Sequence, residues 1–197
     1  GLMAAYDPAA KKWADMKART ILYGRELPGA PPVYGVGTCY DPVNDEIVLF
    51  PHFNAKNIDL REASGRITGH FGTFRYSFAD NTWRRAEDSA GPEPRCAAPM
   101  VYDPKNKCIV MFGGHNGLVR NDLADPAERA KFSLGLDDTW VYECRTRQWR
   151  QLECRSRPPR TRLPAMAYDP VSGLVVLVSF RQVGKEAVAT LWSLDVA

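Results

Sequence analysis

The chain has 197 residues, a net charge of +3, and 45% hydrophobic and 25% charged residues, an ordinary composition for a globular protein. So small a charge excludes a polycationic nucleic-acid binder, and no apolar run approaches the roughly 20 residues of a membrane-spanning helix. A chain of this length buries roughly 70% of its unfolded surface, enough for a sizeable core.

In chain order, the first recognisable element is "LMAAYDPAAKKWADM" (2–16), two short strands in which Tyr6 precedes Trp13 by seven residues. A Pro- and Gly-containing stretch, 17–32, reads as a connecting loop. "VYGVGTCYDPVNDEIVLFPHF" (33–53) is then a strand ending in Tyr, an Asp-Pro turn and a strongly apolar strand. The same pattern recurs in "RCAAPMVYDPKNKCIVMFGGH" (95–115) and "TRLPAMAYDPVSGLVVLVSFR" (161–181). Asp-Pro followed by Asn, Ser or Gly is turn chemistry. The runs "EIVLF", "CIVMF" and "LVVLV" hardly alternate, which predicts strands buried on both faces between stacked sheets.

After the first two of these hairpins comes a second, "TFRYSFADNTWRRAE" (73–87) and "TWVYECRTRQWRQLE" (139–153), with Tyr76 and Trp83, then Tyr142 and Trp149, at the spacing of Tyr6 and Trp13. The chain closes on "TLWSLDVA", where Trp192 matches Trp140. Residues 1–17 therefore read as the last two strands of one unit, 33–87 and 95–153 as four-stranded units, and 161–197 as a unit lacking its outer strand. Sheets with two apolar faces must stack on neighbours, and radial stacking gives a β-propeller.

These units resemble Kelch repeats, the blades of the galactose-oxidase-type propeller. The resemblance rests on Gly113-Gly114 after an apolar strand, the Tyr142–Trp149 pair and Asp137-Asp138 ahead of "TWVY". It is closest in the middle unit; Pro51-His52 and Ser179-Phe180 stand at the diglycine position in the others. It implies an all-β, Kelch-type propeller segment of about three four-stranded antiparallel blades in an incomplete ring. It also implies that the loops between second and third strands, and between blades, share one face, and that this face binds ligands. Those loops, 17–32, 54–72, 86–95, 115–137 and 153–162, are the long ones, and long loops in a compact domain carry function.

On that face the expectation falls on Arg155, Arg157, Arg160 and Arg162, part of an arginine-rich run (145–162) opposed only by Glu153, with Arg95 nearby from the preceding inter-blade loop. A planar guanidinium suits carboxylates and other anions, so the expected partner is a protein or acidic peptide, taken by a non-catalytic scaffold. Asp125, Pro126 and Glu128 have the spacing of a helix start within 121–135. No nucleophile elbow, phosphate loop or zinc-protease motif is present, and His52, His70 and His115 are too few for a copper or zinc centre. No cofactor is expected, and Tyr40, Tyr102 and Tyr168 read as packing anchors. Two further readings stay open, a carbohydrate-acting or carbohydrate-binding propeller and purely structural blades of a larger protein, as does ring closure between chains. Five cysteines without a C-x-x-C pair are expected as free, mostly buried thiols, which points to a reducing compartment; Gly1 leaves the matter of a leader open.

Overall fold

The computed structural model describes residues 2–22, 24–31, 34–52, 72–86, 91–93, 95–115, 125–127, 135–161, 163–183 and 186–196. Among these the chain is built from β-strands. β1 (Ala4–Asp7) and β2 (Lys12–Asp15) form a hairpin, followed by β3 (Arg19–Leu22) and β4 (Arg25–Pro28). The next group is β5 (Tyr34–Asp41), β6 (Glu46–His52), β7 (Phe74–Ser77) and β8 (Thr82–Arg85). Then come β9 (Met100–Asp103), β10 (Cys108–Phe112), β11 (Thr139–Glu143) and β12 (Gln148–Leu152). The last group is β13 (Ala165–Asp169), β14 (Leu174–Val183) and β15 (Glu186–Leu194). Groups β5–β8, β9–β12 and β13–β15 are antiparallel meanders. Their first strands β5, β9 and β13 lie side by side, as the inner strands of propeller blades do. The sheets form an open propeller segment.

The stretch 17–32 is not a plain loop. β3 pairs with β4 and runs parallel to β8, extending the first meander to six strands in the order β4-β3-β8-β7-β6-β5. The turn chemistry is there, with Gly24 at φ 73°. The strands either side are four residues each, too short to give a periodic signal, yet Thr20 and Leu22 are buried.

Six hairpins share one turn design, each reversing over four residues closed by a strand pair such as Asp41↔Glu46 or Asp103↔Cys108. In four of them the leading Asp is the hub. Asp41 Oδ1 accepts from the amides of Val43 and Asn44 at 2.9 and 3.3 Å, and Asp103 Oδ1 from those of Lys105 and Asn106 at 2.9 and 3.2 Å. Asp7 does the same with Ala9 and Ala10, and Asp169 accepts from Val171 N on Oδ1 and from Ser172 N on Oδ2. The last turn residue is left-handed every time: Lys11, Asp45, Asn81, Lys107 and Arg147 at φ 50–59°, and Gly173 at 72°. Tyr40, read as a packing anchor, is exposed and donates its hydroxyl to Asp45 Oδ1 at 2.7 Å.

The apolar strands divide their side chains between two neighbours. Ile109 and Met111 of β10 face the preceding sheet, with Val48, Phe50, Tyr142 and Trp149. Cys108 and Val110 face the following sheet, with Val141, Val175 and Val196. A third cluster joins Leu49, Phe74, Tyr76 and Trp83 to Ala18 and Leu22, with Met3 and Met16 of the first hairpin against it. Polar side chains tie the joints. Trp149 Nε1 donates to Thr73 Oγ1 at 2.7 Å, Asn44 Nδ2 to the Cys144 carbonyl at 2.7 Å, and Asn81 Nδ2 to the Met16 carbonyl at 2.8 Å.

The diglycine decides where a blade's second strand stops. Gly113 and Gly114 take φ 61° and 80°, and β10 ends at Phe112. A Cβ on Gly114 would lie 2.6 Å from the Cys96 carbonyl oxygen. Where Pro51-His52 and Ser179-Phe180 replace the glycines, the strands run on, β6 to His52 and β14 to Val183.

All five cysteines are free thiols. Burial pushes Cys39 up to about 11 and Cys108 up to about 12, and burial raises Cys144 as well. Against an ordinary thiol near 8.5, these groups hold at least about a hundredfold less thiolate at pH 8. In the native protein these three are expected to react with Ellman's reagent at least tenfold more slowly than after guanidinium unfolding. Equal rates by peptide mass mapping would show that the thiols are open.

Candidate functional site

The loop end of the β9–β12 sheet is knitted together by short backbone contacts. Gly113 N donates to Asp138 O at 3.0 Å, Leu136 N to Gly114 O at 2.8 Å, and Ala97 N to Gly35 O at 2.9 Å. Isolated bridges pair Cys96 with His115 and Leu136 with Thr161. This brings the segment before β9, the end of β10, the start of β11 and the segment after β12 to one place.

At its centre Arg95 is 2% exposed. Its Nη1 and Nη2 donate to Asp138 Oδ1 and Oδ2 at 2.5 and 2.9 Å, a fork-to-fork pair of the strong charge-assisted kind. Nη1 also reaches the Gly113 carbonyl at 3.2 Å, and Nε the Glu93 carbonyl at 3.0 Å. Trp140 Nε1 donates to Asp138 Oδ2 at 2.7 Å. Burial pushes the Asp138 carboxyl up, but the Arg95 hydrogen bonds and charge, with Trp140, outweigh it and hold the group below its ordinary value. Arg95, expected from sequence to meet a partner, is therefore enclosed. Its donors are engaged inside the protein, so it positions the loop ends and is not offered at the surface.

Arg155, Arg157 and Arg160 lie on the segment after β12 and are exposed. Arg157 Nη2 donates to Glu153 Oε2 at 2.9 Å, and Arg160 Nε lies 3.5 Å from Asp137 Oδ2. Arg155 has no ion pair among the described residues. Arg162 lies outside the described residues, as do 53–71, 116–124 and 128–134, which hold most of the expected long loops and helix. Of that helix, Asp125 Oδ1 accepts from Ala127 N at 2.8 Å, the expected cap bond. Arg147 and Arg150 belong to the opposite rim, paired with Glu46 at 2.9 Å and Glu143 at 2.8 Å. Surface pairs of the Arg157 and Arg160 type are weak, about 0–1 kcal/mol, and an incoming carboxylate can exchange with them.

Sequence reasoning missed a pair beside Arg95. Cys96 Sγ lies 3.0 Å from His115 Nε2 and 3.4 Å from Nδ1. The pairing was countable: Met100 faces Met111 in the β9–β10 ladder, and the same register carried outward sets Cys96 opposite His115. A thiol and an imidazole are short of the three or four protein ligands of a zinc site, and no cluster of three metal-capable groups occurs among the described residues. A cavity of about 50 Å³ lies between the second and third meanders and is lined by Val110, Phe112, Cys154, Leu177 and Trp192. It is far below the size of an ordinary small-molecule site.

No family model and no curated protein matches this chain. Among solved structures it is similar to that titled "Structure of YjhT", with a TM-score of 0.54 and 14% identity over 91% of this chain and 51% of that one. The likeness is one of fold, and the chain spans about half the length of YjhT.

Proposed function

We propose that the chain is a Kelch-type propeller segment that serves as a binding scaffold and takes an acidic protein segment on its loop face. The Gly113-Gly114 strand stop, the Tyr142–Trp149 pair and Asp137-Asp138 ahead of β11 support the family reading. The observation that carries the binding reading is the row of exposed guanidiniums, Arg155, Arg157 and Arg160, on a segment anchored at both ends. Leu152 of β12 holds one end, and the Leu136–Thr161 bridge holds the other. Beside it the enclosed Arg95–Asp138 pair ties the segment before β9 and the start of β11 to the end of β10. Among the described residues Glu153 and Asp137 alone answer these charges. Anchored side chains lose less entropy on binding than free ones.

The test is Arg157→Glu together with Arg160→Glu, read by fluorescence anisotropy with a labelled Glu-rich peptide. The double variant is expected to bind at least tenfold more weakly, and wild-type binding to fall with added salt. Unchanged affinity in the variant, with its thermal unfolding intact, overturns the reading.

A further inference from the structure

Cys96 and His115 are set face to face by the backbone. Cys96 N donates to the His115 carbonyl at 2.8 Å, and His115 N to the Cys96 carbonyl at 2.9 Å. Such a doubly bonded antiparallel pair puts both side chains on one side of the ladder. The approach depends on the residues that follow Cys96 and precede His115. Gly114, at φ 80°, has no Cβ to meet the Cys96 carbonyl oxygen, and Ala97 takes the left-handed φ of 57°. A left-handed residue other than glycine is the kind of strain that functional sites retain.

Cys96 Sγ lies 3.0 Å from His115 Nε2 and 3.4 Å from Nδ1, so both ring nitrogens are within reach of the sulfur. In a neutral imidazole one nitrogen carries the proton and the other accepts. Either tautomer therefore offers the thiol an acceptor. The Arg95 guanidinium next in the chain is answered by Asp138, and His115 is the base that the fold places at this sulfur. The other cysteines are set differently. Cys39, Cys108 and Cys144 are raised chiefly by burial, and Cys154 Sγ lies 3.8 Å from Thr139 Oγ1 and from the Leu152 carbonyl.

We propose that Cys96 and His115 work as a thiolate–imidazolium pair, and that Cys96 is a modification site for small peroxides. The thiolate is the nucleophile of cysteine chemistry, and a protonated histidine beside it favours that form. The thiol proton passes to the imidazole, and the sulfur attacks one oxygen of hydrogen peroxide. The S–O bond forms as the O–O bond breaks, and the departing hydroxide takes the proton back from the imidazolium and leaves as water. Cys96 is oxidised to the sulfenic acid, a reversible state, and the peroxide is reduced to water. Cys96 is 5% exposed, an enclosure that favours this small uncharged oxidant over bulky disulfides. The step needs neither Arg157 nor Arg160, so it stands or falls independently of acidic-peptide binding.

The experiment exposes the native chain to hydrogen peroxide for graded times and then removes the oxidant with catalase. Unfolding in guanidinium with dimedone and excess iodoacetamide marks sulfenic acid and remaining thiol, and peptide mass mapping reads each cysteine. Cys96 is expected to become sulfenic at least about tenfold faster than Cys154, although Cys154 is the more exposed of the two. Exposure alone predicts the reverse order. His115→Gln keeps a polar side chain but removes the base, and is expected to slow Cys96 at least about tenfold while leaving Cys154 unchanged. His115→Asn repeats that arm with a second side chain. A wild-type Cys96 that oxidises no faster than Cys154 overturns the proposal whatever the variants do. So does an unchanged Cys96 rate in either variant with its circular dichroism intact.

Discussion

Replacing Trp149 by alanine is expected to lower the unfolding free energy by about 3–5 kcal/mol, the range of large-to-small aromatic changes in a packed core. The indole is 6% exposed and sits at the joint of two sheets. It stacks on Tyr142 at 5.2 Å, meets Phe50 of the neighbouring sheet, and donates through Nε1 to Thr73. Gly91 lies over the ring, since a Cβ there would be 3.4 Å from Cδ1. Truncation therefore opens a void between two sheets that cannot close without moving both. Trp149→Phe keeps most of the volume and loses the bond to Thr73, and is expected to cost about 1–2 kcal/mol. The control lies in the same chain. Trp13 has the same place in its hairpin but is exposed, and Trp13→Ala is expected to shift stability by no more than about 0.5 kcal/mol under conditions where the chain runs as one copy. Urea unfolding followed by far-ultraviolet circular dichroism separates the three. Equal costs for Trp149 and Trp13 would show that the joint is not where the stability lies.

Arg95→Ala is expected to be as damaging, about 3–5 kcal/mol, because it leaves the Asp138 carboxylate without its counter-charge. Asp138 is 19% exposed at its side chain and Arg95 2%, so water compensates little. Replacing both, as Arg95→Met with Asp138→Leu, is expected to recover most of the loss, because no charge is then stranded. The pair also sets an acid limit. The Asp138 carboxyl is held below its ordinary 3.8 in the folded state. Its contribution is therefore fully present above 3.8 and is lost as pH falls through the lower folded value. The wild type is expected to lose stability on acidification below about pH 4 more steeply than Arg95→Met/Asp138→Leu. Parallel melting curves for the two proteins from pH 5 to 2 would refute that assignment.

The architecture was legible because the turns announce themselves. Asp-Pro followed by Asn or Ser places the hairpin corners at Asp41, Asp103 and Asp169. The apolar runs after them read as strands between sheets, which holds for β6 and β10, while β14 is buried on one face only. Two things escaped. The β3–β4 hairpin is four residues a side and earns its place by pairing with β8, more than fifty positions away. The left-handed residue that ends each turn is a lysine, aspartate, asparagine or arginine in five of six cases, so no glycine signal marks it. The candidate site was legible only in outline. The exposed arginines follow from composition and loop position. The enclosure of Arg95 does not, since its partner is 43 residues away and only the folded sheet brings them together. Cys96 and His115 were within reach of counting, had the hairpin register been carried past the strand ends.

The uniform turns have an evolutionary reading. Six corners of equal length and equal geometry make one rim of the molecule a fixed gauge, on which a duplicated unit fits only if its corner is unchanged. Segments between corners at the opposite rim carry no such constraint, and there the units differ in length, from the stretch 53–73 to the stretch 113–138. The shared pattern of the units therefore shows on one side of this protein, and their differences in length on the other.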